Sequence, residues 1–195
     1  VSRGVRPVEI FTLTDEFTAG MSYVIANINV TGFAYAAGSP VFSTGATNYD
    51  MRLTACGVTV EDCDGVPGIY SSDDNHVWTV VSDSQGNVRL VNEKHGGYLY
   101  AVMADDNALD LGVTSDPEHK GTTWTMNSKG KIVADTGYGI EFSSDINYRA
   151  AAEKSLDEQY LYKKTLADPF VTLKQDNVSV AGVEKTVYSV YDGAT

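Results

Sequence analysis

The chain reads as all-β, built from three copies of one four-strand unit with a short β-rich extension after them. Three observations carry this. The stretch Asn87 to Asn127 contains four short β-rich runs separated by Gly, Asn, Asp and Pro clusters. The same phrase precedes it and follows it, and a repeat of this length decides the architecture. Trp78 and Trp124 stand at equivalent places, 46 residues apart, each followed by a similar turn, Ser82–Gly86 and Asn127–Gly130. No run is long and amphipathic enough to require a helix.

The elements follow in order. Val8–Leu13 is a candidate strand behind Pro7, and residues 15–20 form a turn into the first copy. The copies open with Tyr23–Asn27, Val88–Asn92 and Lys131–Asp135, each ending in Asn or Asp. A glycine and an aromatic come next: Gly32-Phe33, Gly97-Tyr98, Gly137-Tyr138. Third strands are expected at Met51–Ala55, Ala108–Leu111 and Asn147–Ala151. The closing strands are His76–Val80, Thr122–Met126 and Gln159–Tyr162, with Tyr160 or Leu161 where the third tryptophan would stand. Two long turn-rich insertions interrupt the first copy, between Tyr35 and Met51 and between Ala55 and His76, and a helical turn is expected near Leu156–Gln159.

Three copies of four strands spell a β-trefoil, twelve strands closing a six-stranded barrel capped by three hairpins, so that few edges stay open. The repeat, with tryptophan near the end of the copies, resembles the ricin-type lectin family over about Thr14 to Thr165. That resemblance implies a carbohydrate-binding module. One departure stands out: the family carries Gln-x-Trp in its closing strand, and His76 and Thr122 precede the tryptophans here. The expected organisation is a linker or edge strand over 1–13, the trefoil over 14–165, and a linker plus partial immunoglobulin-like or other β extension over 166–195, of the kind strung along multi-domain bacterial surface proteins.

Lys and Arg number 14 against 26 Asp and Glu, a net charge of −12. Nucleic-acid backbones and anionic membrane surfaces would be repelled. No apolar run of eighteen residues predicts a membrane span. The start at Val1 without a signal peptide suggests a processed product or an excised module. The expected setting is extracellular or cell-surface, and the chain is expected to be a monomer.

Cys56 and Cys63, with six residues between them, make a poor zinc site and leave two readings open: a small disulfide loop or two reduced thiols. Glu61, Asp62, Asp64, Asp73 and Asp74 share the second insertion. They could hold calcium or be a solvated acidic loop, and their spacing does not match an EF-hand. No metal or cofactor is otherwise implied.

A sugar site needs an aromatic face for the C–H side of a pyranose and side chains that hydrogen-bond its hydroxyls. The second copy offers Asn92, His95, Tyr98, Tyr100, Asp105 and Asn107; the third offers Asp135, Tyr138, Asn147 and Tyr148. The bland alternative places alternate tyrosines in the core and makes Gly96-Gly97 a plain hairpin turn. His76 and His119 have no recognisable partners in the sequence, and Trp78 and Trp124 are expected in the core. No nucleophile, zinc-protease or phosphate-loop signature occurs. The expectation is a non-catalytic, lectin-like module that binds a glycan; the alternative is a structural or protein-binding trefoil.

Overall fold

Residues 8–42, 51–104, 107–165, 171–180 and 183–192 are described by the structure, a computed structural model. It is all-β, a closed six-strand barrel with additional strands. Two compact units divide the chain, residues 1–165 and 166–195.

The first unit contains β1 (Glu9–Thr14), β2 (Ser22–Ala26), β3 (Gly32–Phe42), β4 (Met51–Cys63), β5 (Val66–Ser71), β6 (Trp78–Ser82) and β7 (Val88–Asn92). It continues with β8 (Tyr98–Met103), β9 (Leu109–Thr114), β10 (Trp124–Met126), β11 (Ile132–Ala134), β12 (Tyr138–Ser143), β13 (Asn147–Ala152) and β14 (Tyr160–Lys164). Short 3₁₀ turns at Asp74–His76 and Glu153–Ser155 precede β6 and β14. The expected helical turn thus falls a few residues earlier than the sequence placed it. No helix among the described residues is long and apolar enough to cross a membrane.

Strand pairing joins β14 to β2, β2 to β6, β6 to β7 and β10 to β11, all antiparallel. Three hairpins, β3–β4, β8–β9 and β12–β13, stand beside this ring. Alternation decides what fills the interior. Tyr23 and Ile25 of β2, Trp78 and Val80 of β6, Leu90 of β7, Trp124, Ile132 and Leu161 form one buried cluster. Both tryptophans are core residues, as expected. Trp78 Nε1 donates to Ala37 O and Trp124 Nε1 to Leu99 O, each at 2.9 Å and each to the second strand of its own copy. Leu161 is fully buried in the same cluster, whereas Tyr160 is half-exposed, so leucine fills the third tryptophan's place.

Two residues before each of these core side chains stands a buried polar residue: His76, Thr122 and Gln159. Thr122 Oγ1 lies 2.8 Å from Pro117 O and 2.9 Å from His119 O, and His76 Nε2 lies 2.8 Å from Ser71 Oγ. In those two copies the side chain ties down the loop that leads into the closing strand.

Residues 8–14 are neither linker nor edge. β1 is paired on both sides, with Phe11 opposite Lys164 of β14 and Ile69 of β5. β1 and β5 cover the outer wall of β2, so Val24 and Ala26, which point away from the barrel, are buried in a second cluster with Phe11, Val60, Ile69 and Tyr162.

The acidic stretch after Ala55 is not a loop. β4 runs on to Cys63, drawn out by the alternating Val58-Thr59-Val60, and returns as β5. Cys63 pairs with Val66 across Asp64 and Gly65, whose φ values are 54° and 84°. An Asp-Gly pair with two positive φ angles matches the twist of a tight hairpin. This extension also settles the cysteines. Both are free thiols. They sit seven strand positions apart on β4, about 23 Å at roughly 3.3 Å per residue, far beyond the ~4.4–6.8 Å between Cα atoms that a disulfide spans.

The second unit is a hairpin of β15 (Val171–Val180) and β16 (Val183–Asp192), paired in register from Val171↔Asp192 to Val180↔Val183.

Candidate functional site

The structure buries two of the sequence-predicted binding residues, Asn92 and Tyr148. Asn92 is fully buried. Its Oδ1 accepts from the backbone N–H groups of Lys94 and His95, and its Nδ2 donates to Asn75 O. Asn27, at the same place in the first copy, accepts from Tyr35 N at 2.8 Å. The Asn that ends these two opening strands is therefore a turn residue, which is why its amide is not available to a ligand. Tyr148 is fully buried and donates its hydroxyl to Tyr35 O at 2.8 Å, and burial holds its phenol well above its ordinary value. It presents no face to a sugar, because it packs with Ala150 of the same strand in the core cluster.

The other candidates are scattered. His95 is exposed, with Nε2 2.7 Å from Ser39 Oγ. Tyr98 and Tyr100 share the outer face of β8, half-buried; the Tyr100 ring lies 4.6 Å from that of His119, and burial raises its phenol. Asn107 is an exposed turn residue at φ 64°, and Asp105 lies outside the described residues. Asp135 is exposed; Tyr138 turns its hydroxyl toward Met103 Sδ at 3.7 Å. Asn147 Oδ1 accepts from Arg52 at 3.3 Å. Two of the carboxylates that could have held calcium are engaged locally. Asp62 Oδ1 receives Gly65 N and Asp73 Oδ1 receives Asn75 N, so both serve as turn caps. Among the described residues no three His, Cys, Asp or Glu side chains gather as a metal group.

A concavity of different make-up lies elsewhere. A cleft of about 620 Å³ is walled by the end of β1, the β2–β3 loop, the β10–β11 turn and the start of β14. Leu13, Met126 and the Tyr160 ring give it apolar surface; Asp15, Asn29, Ser128 and Glu158 give it polar groups. Tyr160 donates its hydroxyl to Glu158 Oε2 at 3.2 Å, and burial, with the Glu158 charge behind it, raises the phenol above its ordinary value. Glu158 in turn lies across Gly130, where a Cβ would come within 2.5 Å of its side chain. Gly130 N–H and Asn127 O close the tight turn beneath it, with Asn127 Oδ1 accepting from Lys129 N and Lys131 N. A half-exposed aromatic, two carboxylates and an amide thus line one cleft. Asp15, Asn29, Glu158 and Tyr160 escaped the sequence reading because they come from three distant segments. Each looks like an ordinary turn or strand residue, and only the repeat's closing geometry gathers them.

A second concavity, about 440 Å³, lies on the outer face of β3, β4 and β5, with Ser71, Ser72, Asp73 and His76 at one end. Here the structure gives His76 the partners that the sequence did not reveal. Ser71, Asp73 and His76 are the residue types of an activated hydroxyl. The geometry is that of a turn clamp instead: His76 Nδ1 stands 4.0 Å from Asp73 Oδ2, too far for a hydrogen bond, and Ser71 Oγ already accepts from Asp73 N at 3.2 Å. Burial lowers the His76 pKa against the raising influence of Asp73 and Asp74.

No family model, curated protein or solved structure matches the chain. The likeness to ricin-type lectins accordingly rests on the repeat pattern.

Proposed function

We propose that the chain is a non-catalytic carbohydrate-binding module on a β-trefoil frame, of the lectin kind, working as a monomer outside the cell or at its surface and without a cofactor. The trefoil reading is supported by the recurrence of one hairpin per copy beside a six-strand ring, and by the matching indole hydrogen bonds of Trp78 and Trp124. The binding reading is carried by one observation: a cleft of about 620 Å³ combines the Tyr160 ring with Asp15, Asn29 and Glu158, and its charged side chains are both acidic. Carboxylates accept hydrogen bonds from sugar hydroxyls, an aromatic ring covers the C–H face, and a site without a cation favours neutral sugars over sulfated or uronic ones. Such a shallow site binds weakly and gains strength through multivalency.

A glycan array probed with the whole chain, with and without calcium, tests the reading. Binding to a neutral sugar class that Tyr160→Ala weakens at least tenfold supports it. A silent array with a folded chain favours a structural or protein-binding domain. Binding that needs calcium refutes the cofactor-free site.

A further inference from the structure

We infer that the outer face of the β3–β4–β5 extension, between Phe33 and Tyr70, is a second glycan-binding platform that accepts an extended neutral sugar chain. The inference takes its ligand class from the proposed function, but none of its residues: the two concavities share no lining side chain.

The row is set by register. Phe33 of β3 lies opposite Thr59 of β4, and Val60 opposite Ile69 places Thr59 opposite Tyr70 of β5. Phe33, Thr59 and Tyr70 therefore stand side by side across three strands. At about 4.8 Å per strand the two aromatics are about 10 Å apart at their Cα atoms. They are also the two aromatic side chains most open to solvent among the described residues, Phe33 at 62% and Tyr70 at 46%.

The Phe33 ring is held in place. Phe33 meets Tyr35 edge-on at 5.0 Å and leans over Gly57, where a Cβ would sit only 3.0 Å from the ring, so the floor beneath it stays flat only with glycine. The Cys63 side chain neighbours the Tyr70 hydroxyl and raises its phenol above the ordinary value. A fixed, exposed ring contributes little to folding and much to stacking, since no rotamer freedom is lost when a ligand arrives.

Polar groups complete the groove. Glu61, Ser72 and Asp73 line it with hydroxyl and carboxylate oxygens. His76 also lines it, and its Nδ1, in a residue only 4% exposed, has no hydrogen-bond partner among the described residues. A buried donor or acceptor left unmade is costly. Glu61 and Asp73 carry the groove's formal charge, so an anionic glycan is disfavoured.

Affinity electrophoresis of the whole chain provides the test, in gels containing galactomannan, xyloglucan or mixed-linkage β-glucan, with polygalacturonate as the acidic probe. The variants are Phe33→Ala, Tyr70→Ala and Tyr160→Ala, and Phe33→Trp as a conservative replacement that keeps a stacking ring. Because Phe33 and Tyr70 are exposed, their alanine variants should retain the parent circular dichroism. The expected result is retardation by a neutral polysaccharide, at least threefold weaker in Phe33→Ala and in Tyr70→Ala, kept in Phe33→Trp, and partly kept in Tyr160→Ala. If Tyr160→Ala abolishes retardation while Phe33→Ala and Tyr70→Ala match the parent, the second platform is refuted and the first cleft stands. If Phe33→Ala abolishes it and Tyr160→Ala changes nothing, the platform stands and the first cleft is refuted. Retardation by polygalacturonate alone, or by no polysaccharide, overturns both.

Discussion

Replacing Trp78 by phenylalanine tests the architecture at its centre. The indole is fully buried, and its Nε1–H donates to Ala37 O at 2.9 Å. Phenylalanine keeps most of the apolar volume and removes the donor. The carbonyl left behind costs about 1–3 kcal/mol, and the space vacated by the smaller ring adds about 1 kcal/mol. The sum, about 2–4 kcal/mol, is a large share of the ~5–15 kcal/mol by which domains are stable. Trp124→Phe removes the equivalent bond to Leu99 O in an equally buried site, so it should cost about the same. Urea unfolding followed by far-ultraviolet circular dichroism, which does not depend on the mutated fluorophore, measures both. Two variants within about 0.5 kcal/mol of the parent would refute the claim that these indoles are tied donors of the core. A large cost in one and none in the other would refute their equivalence.

Further outcomes follow from the same coordinates. His76 has its pKa lowered from 6.5 by burial, so the unfolded chain takes up the proton first as pH falls. Stability should therefore decline as pH drops below 6.5 and level off beneath the depressed native value; His76→Gln should remove that component from a pH series of urea midpoints. Burial pushes the Tyr162 phenol up to about 12, and its hydroxyl donates to Ile28 O at 2.7 Å. Its contribution is present below pH 10 and lost as pH rises toward 12, and Tyr162→Phe should cost about 1 kcal/mol near neutral pH. An ultraviolet titration showing every tyrosine ionising near 10 would contradict this. Cys56 and Cys63 should react as two free thiols in urea after exposure of the native chain to mild oxidant; a monomer with no titratable thiol would mean that β4 does not extend to Cys63. Gly65→Val should destabilise the β4–β5 hairpin by about 1–2 kcal/mol, since φ 84° strains a β-branched residue.

Much of the frame was legible in the sequence. β7 spans Val88–Asn92 as read, β13 needs one residue more, and both tryptophans lie in the core. Period-two alternation and Gly or Asn punctuation are local signals, and they survive folding because each short strand must bury one face. The extension of the first copy was misread for a local reason too: five carboxylates masked the alternation of Val58 and Val60 and the Asp64-Gly65 turn signal. The candidate site was much less legible. Tyr148 and Asn92 looked like ligand contacts and are interior, because residue type does not tell which face of a strand is covered. Burial of both faces of β2 required β5, from a distant part of the chain, to pair with the neighbouring β1.

What the sequence determined by itself is most of the short strands outside the β4–β5 extension, the recurring phrase and the acidic charge, all set by the order of neighbouring residues. What only the tertiary structure decided is which side chains meet: Asp15 with Tyr160 in one cleft, Phe33 with Tyr70 in one row, and Ser71 with His76 in one clamp. The physical reason is that a side chain's direction alternates along its own strand, while its neighbours are fixed by register between strands far apart in the chain.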